Sequence, residues 1–224
     1  MAHSKRISTG YGKKDKWIVT PKAGAHKKNQ ALPLMLVLRD VLGLADTARE
    51  AKKIINAGDV LVDGVPRRTH NFCVGLMDVV SIPKLKKSYR VLPGRKTPEL
   101  CEVDEKEAKT KLHKVVGKKT LSGGKTQLQL HDGKTLISDK DKVSVGDTVV
   151  MELGKDKILK MIAFKNGNTA IVDSGVNSGE AGKITEINPA TRTRKALTKI
   201  GDLQTLSDYV FVVGEAEPVI TLKK

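Results

Sequence analysis

Aromatic residues are scarce. Phe, Tyr and Trp make up 3% of the 224 residues, and there is one Trp. Any core must therefore be modest and built from Val, Ile and Leu. Cysteine is almost missing as well: Cys73 and Cys101 are the only two, and they form no C-x-x-C pair. That excludes a disulfide scaffold and a cysteine-based metal cluster, and suits two reduced structural thiols. The five histidines (His3, His26, His70, His113 and His131) are scattered without metal-ligand spacing, so neither a metal nor a cofactor is expected. Long apolar runs are missing too. The most apolar stretch, ALPLMLVLRDVLGLA, is broken by Arg39 and Asp40, which excludes a bilayer-spanning helix of about 20 residues. It starts too late and lacks the cleavage context of a signal peptide, so the expected location is the cytoplasm.

Acidic residues are in deficit. Against 41 Lys and Arg stand 25 Asp and Glu, a net charge of +16. That excess repels itself in the free protein and asks for a polyanionic partner, nucleic acid or an anionic membrane. With no membrane span, nucleic acid is the stronger reading. The length allows two or three small domains or one large one.

Residues 1–31 carry eight Lys or Arg and one acid, Asp15, with no apolar periodicity. They read as a basic arm. Lys5, Arg6, Lys13, Lys14 and Lys16 are candidate phosphate contacts by charge. Tyr11 and Trp17 lie among them, and rings interleaved with cations suit stacking on bases. Trp17 would equally serve to anchor the arm to a neighbouring domain.

Pro33 reads as the first residue of a helix running to about Leu42 and stopped by Gly43. Thr47 opens a second helix in capping-box form, with Glu50 three residues on and Gly58 as its stop. Ala48, Ala51, Ile54 and Ile55 share one face of it. Arg49, Lys52, Lys53 and Asn56 take the other. In DVLVDGVPRR, Asp63-Gly64 is a two-residue hairpin signal, because a type I′ turn needs positive φ at both positions. Pro66 places the returning strand at an edge, and Arg67 and Arg68 leave it. MDVVSI is a further strand. Residues 84–96 then hold six cations and no acid, among them Lys84, Lys86 and Lys87. Such a helix and hairpin present two adjacent cationic surfaces to phosphate oxygens, which Arg can fork bidentately.

The acids Glu99, Glu102, Asp104, Glu105 and Glu107 lie among lysines and read as a solvated face, not an acid/base pair. From 108 to 163 the pattern is strand after strand (KLHKVVGKKTL, TQLQLH, DGKTLI, DTVVMEL, KILKMIAF), with a turn at His131-Asp132-Gly133-Lys134. LSGGKT at 121–126 is not a P-loop: the position that needs the first Gly is Lys119. It reads as a hairpin loop. Gly175, Gly179 and Gly182 do not fit a dinucleotide fingerprint. No Ser/His/Asp set is pinned by a local motif.

LADTAREAKKIINAGDVLVDGVPRR followed by VGLMDVVSIPK resembles the small RNA-binding module first named for ribosomal protein S-four. SGVNSGEAGKITEI, with Gly175, Gly179, Gly182, Lys183 and Ile184, resembles a KOW motif. The order of basic arm, module, β domain and KOW segment, together with LPLMLVLRDVLGLADTAREAK and GGKTQLQLHDGKTLI, is similar to the archaeal and eukaryotic S-four-e family of small-subunit ribosomal proteins. His26, Lys27 and Lys28 lie where that family keeps a basic segment.

The resemblance implies an α+β multidomain chain. Its parts would be a basic N-terminal arm (1–31), a small α/β S-four-like RNA-binding module (32–92), a central β domain (93–165) and a C-terminal KOW-containing, SH3-like β-barrel (166–224). It implies a structural, non-enzymatic constituent of the small ribosomal subunit, in the cytoplasm on the ribosome. The implied partners are small-subunit rRNA and neighbouring small-subunit ribosomal proteins, with no membrane and no small-molecule substrate. Lys183, Arg192 and Arg194 would touch RNA or a neighbouring protein. Two alternatives share pieces of this pattern: an RNA-modifying enzyme using the module for targeting, and a KOW-containing transcription elongation factor. The first needs a catalytic Asp in an Arg-Leu-Asp-type context, or a dinucleotide-like α/β domain, and neither is evident.

Overall fold

The computed structural model describes residues 18–28, 30–95, 97–138, 143–154 and 157–222. The chain forms two compact units, 1–111 and 112–224.

The first unit opens with strand β1 (Leu32–Pro33), a short helix α1 (Leu34–Leu36) and a π-helical stretch, Val37–Val41. Here the expected helix is corrected. Pro33 is not its first helical residue but its extended N-cap, at φ −69° and ψ 140°, and it pairs across to Cys73 in a two-stranded sheet. The helix also widens, with Leu42 N–H donating back to Val37 O. A proline signal for N1 cannot tell a first helical residue from the extended one before it, because both hold φ near −65°.

Helix α2 (Ala48–Ala57) forms as its caps dictate. Thr47 accepts from Glu50 N–H, Glu50 reaches back to the Thr47 backbone, and Gly58 stops the helix at φ 84°. Such a cap contributes about 1 kcal/mol. Ala51 and Ile55 are buried, and Ala48 and Ile54 pack partly beneath them.

Strands β2 (Leu61–Val62), β3 (Val65–Pro66), β4 (Cys73–Val74), β5 (Val79–Ile82), β6 (Lys87–Leu92) and β7 (Glu99–Val103) follow. β4 pairs with β1, and the other five form an antiparallel sheet in the order β3-β2-β5-β6-β7. Asp63 and Gly64 turn β2 into β3 at φ 53° and 76°, the type I′ geometry. Pro66 lies on the edge strand, where its missing N–H costs no ladder bond. Leu34, Leu38, Ile55, Val62 and Val80 meet in one core under α2.

Among its described residues the second unit is β, apart from a single 3-10 turn at Ser207–Tyr209. Strands β8 (Thr110–Thr120, which begins just before the unit boundary), β9 (Thr126–Leu130), β10 (Thr135–Ser138), β11 (Thr148–Glu152) and β12 (Lys157–Ile162) make one sheet, ordered β10-β9-β8-β11-β12. LSGGKT is the β8–β9 hairpin loop, with Gly123 and Gly124 at positive φ. Val115, Leu128, Val149 and Met151 form its core. Strands β13 (Thr169–Val172), β14 (Ala181–Asn188), β15 (Leu197–Ile200), β16 (Leu203–Leu206) and β17 (Val210–Gly214) make a second sheet, ordered β16-β15-β14-β13-β17. The molecule is thus mostly β, and its helical content is concentrated in the first unit. Among the described residues, no helix is long and apolar enough to cross a membrane.

Candidate nucleic-acid interface

The amphipathic spacing of α2 buries one face and leaves Arg49, Lys52, Lys53 and Asn56 exposed on the other. None of the three cations forms an ion pair with a described residue. The chain beyond α2 gathers further cations at its C-terminal end. Arg67 N–H donates to Val60 O (3.1 Å). The Arg68 side chain lies against Gly58, its Nε 3.5 Å from where a Cβ on that glycine would sit. Lys84 Nζ donates to Asp59 at 2.6 Å. The hairpin arginines and the turn at 83–86 therefore meet at residues 58–60. Cations near a helix C-terminus are also favoured by its dipole.

Arg67 is stacked on a ring. Its guanidinium carbon stands 4.5 Å from the centre of the Phe72 ring. Its Nε is buried without a hydrogen-bond partner. A guanidinium stacked on a ring is pre-organised, so less freedom is lost when its remaining N–H groups meet an anion. Arg68 and Lys86 are exposed. Lys84 and Lys87 are exposed as well, though Lys84 pairs with Asp59 and Lys87 with Glu102 (3.4 Å). Exposed pairs of this kind contribute under about 1 kcal/mol and are easily exchanged for a phosphate.

Not every predicted cation faces outward. Lys27 and Lys28 are exposed, but the His26 side chain is 5% exposed and its Nε2 lies 3.0 Å from Asp78. Lys5, Arg6, Lys13, Lys14, Lys16 and Trp17 lie outside the described residues. Arg90, counted in the basic run 84–96, is fully buried: it pairs with Glu107 (3.2 Å) and donates to the carbonyls of Glu107 and Thr110. Burial pulls its pKa down, against the Glu107 carboxylate. Of the acids at 99–107, Glu102, Asp104 and Glu105 are exposed as expected, and Glu107 turns inward to Arg90.

Sequence reasoning missed the ion cluster under the sheet. Lys111 Nζ donates to Asp63 Oδ2 and Asp78 Oδ1, both at 2.6 Å. Asp78 also accepts from Gly75 N–H (2.9 Å), and Asp63 from Val79 N–H (3.0 Å). Burial alone would raise the Asp78 carboxyl. Lys111 and His26 outweigh it and hold the group well below the usual carboxylate range. Asp63 shifts the other way, raised by burial and by its neighbour Asp78. The Asp-Gly signal identified the turn, but nothing local identified the carboxylate's second task.

In the second unit the glycine-rich loop spans residues 173–180, between β13 and β14. Gly175 and Gly179 take φ of 96° and 92°, which only glycine adopts freely. Gly182 lies in β14, where a Cβ would come within 2.9 Å of Ile200. Lys183 is exposed on β14, and Arg192 and Arg194 are exposed in the turn before β15.

The S4 domain model matches residues 32–80, and the model described as ribosomal family S4e matches residues 85–158. The small ribosomal subunit protein eS4 of Methanothermobacter thermautotrophicus is 47% identical over 217 residues, covering 94% of this chain and 89% of its own. This chain belongs to the S4e ribosomal protein family. The eS4 protein of Archaeoglobus fulgidus is 39% identical, with 98% of this chain and 97% of its own covered. The crystal structure of the 30S ribosomal protein S4e from Thermoplasma acidophilum superposes with a TM-score of 0.76 at 34% identity, covering 84% of this chain and 97% of that one. Within the S4e chain described here, the S4 match takes in α2, the Asp63-Gly64 hairpin and both hairpin arginines.

Proposed function

We propose that this S4e chain is a structural constituent of the small ribosomal subunit, bound in the cytoplasm to small-subunit rRNA and neighbouring ribosomal proteins, without catalysis. The observation that carries it is the meeting of α2, the hairpin arginines and the turn at 83–86 within the first unit, with Arg49, Lys52, Lys53, Arg68 and Lys86 unpaired to any described acid. That surface is built for phosphate. It reads RNA shape, because the A-form major groove is too deep and narrow for side chains. The names of the relatives favour this reading over a modifying enzyme or an elongation factor.

In function we divide the chain as its sequence does. Residues 1–31 are the arm, where Lys5, Arg6, Lys13, Lys14, Lys16, Lys27 and Lys28 meet phosphate and Trp17 stacks or anchors. Residues 32–92 are the module, 93–165 the central β part, and 166–224 a KOW-bearing SH3-like barrel that offers Lys183, Arg192 and Arg194. β7 ties the start of the third part to the sheet of the second. His26 acts from inside, at the root of the arm.

The test is Arg68→Ala, alone and with Arg67→Ala, in the full chain, binding small-subunit rRNA at several salt concentrations. Removing one phosphate-binding cation should flatten the log–log salt dependence by roughly 0.7–0.9. The Arg67 change should also cost about 1 kcal/mol of stability, because the stack on Phe72 goes with it. An unchanged isotherm at moderate salt for the double variant would sink the assignment.

A further inference from the structure

His113 and His131 are far apart in sequence, and their spacing suggests nothing. Strand pairing brings them together. β8 and β9 form one hairpin, and His131 N–H donates to Lys114 O at 3.0 Å just past its paired stretch. Asp132 then sits at the head of the Gly133 turn. One donor atom each from His113, His131 and Asp132 falls within 4.8 Å of the others.

The three side chains differ from a surface cluster. Those of His113 and Asp132 are 1% and 2% exposed. His113 Nδ1 stands 3.2 Å from Asp132 Oδ2, yet it is buried without making a hydrogen bond. An imidazole nitrogen aimed at a carboxylate but out of line for a proton is what a shared cation would satisfy. The outer contacts are in place: Asp132 Oδ1 accepts from Lys134 N–H at 3.1 Å, and Oδ2 faces His113. The His131 ring is steadied edge-on against Phe211, 5.4 Å between centroids.

We propose that His113, His131 and Asp132 form a binding site for a divalent first-row transition metal, with zinc as its natural probe, stapling β8 to the β9–β10 turn of the second unit. Two imidazoles and one carboxylate select this class over magnesium or calcium, which take oxygen ligands. Bonds of 2.0–2.2 Å in a tetrahedron put ligand atoms about 3.3 Å apart. The His113–Asp132 pair already has that spacing, and His131 has to close by no more than roughly 1.5 Å. The half-buried His131 gives the ion its way in, and a solvent molecule completes the shell. His131 Nδ1 accepts a long bond from Lys114 N–H, 3.3 Å, which orients the ring. The site serves stability, not catalysis.

The experiment is titration of the chelator-treated full chain with zinc and, separately, magnesium by calorimetry, with zinc K-edge absorption on the loaded protein. The expected result is one zinc bound through nitrogen and oxygen with two imidazoles in the shell, a raised melting temperature, and no response to magnesium. His131→Gln should weaken binding at least tenfold, and the Cys73→Ser, Cys101→Ser double variant should not. Absence of zinc binding, sulfur in the shell, loss of binding in the cysteine variant, or equal binding by a folded His131→Gln each overturns the site. Should His131→Gln not fold, the absorption spectrum of the unaltered chain decides alone.

Discussion

Arg49, Lys52 and Lys53 carry the same charge as Arg90 and Lys111, and the molecule uses the two sets in opposite ways. The first set stands on the outer face of α2, exposed and without a described partner. The second set is buried, and each member is matched to its own acids. A lone buried cation would cost several kcal/mol, so the inner cations come with Glu107, Asp63 and Asp78 beside them. The outer cations need no internal partner, because water satisfies them until an anion replaces it. A net charge of +16 therefore overstates nothing and locates nothing. What separates binding cations from structural ones is whether the fold already supplies the counter-charge.

The comparison breaks most visibly at Lys111. Lys111→Met keeps the volume but leaves the Asp63 and Asp78 carboxylates buried without the ammonium that both of them contact. The loss should be about 3–5 kcal/mol. Because the chain has two units, one unfolding curve would mix them. Hydrogen exchange at the Ile55 and Val80 amides reports the first unit alone. Adding Asp78→Asn should restore part of the loss, since one uncompensated charge is then removed. Unchanged protection in Lys111→Met would show that the cluster is decoration.

A smaller effect comes from acid. The Asp78 carboxyl is held below its unfolded value of about 3.9, so its contribution is fully present above about pH 4 and is lost as pH falls through the folded value. Asp63 is raised and works in the opposite sense: the folded state takes up its proton earlier, which offsets part of the loss. Protection of the first unit should thus decline below pH 4, and Asp78→Asn should flatten that decline. A decline of equal slope in the variant would assign it to other carboxylates.

These inner groups also mark where the sequence stops being informative. α2 was legible from its ends, because Thr47, Glu50 and Gly58 act within one turn of where they stand. The Asp63-Gly64 hairpin and the edge position of Pro66 were legible for the same local reason. Arg90 was not: it reads as one more cation in 84–96, and only the pairing of β5, β6 and β7 turns it inward. The acid at 107 changes meaning with it. His26 reads as part of a basic segment, yet its ring rests on Gly75, where even a Cβ would come within 2.2 Å of Cγ. At Pro33 the local rule itself was ambiguous by one residue. Local chemistry is written in neighbours, while the sign of a charge's role depends on residues 15 to 50 positions away, as with Asp63 to Lys111.

The smallest expected change in stability belongs to the outer cations, and it is the sharpest half of the comparison. Arg49→Gln, Lys52→Gln and Lys53→Gln together touch no described ion pair and sit on an exposed helix face. Gln keeps nearly the same helix propensity. Each change should move stability by less than about 0.5 kcal/mol, and exchange at Ile55 should be unaltered. The same triple variant removes as many as three phosphate-binding cations, which should flatten the salt dependence of rRNA binding by about 2–3. A variant that loses protection and keeps its RNA affinity would reverse the assignment, making the outer face of α2 structural and leaving phosphate binding to the hairpin and the turn at 83–86.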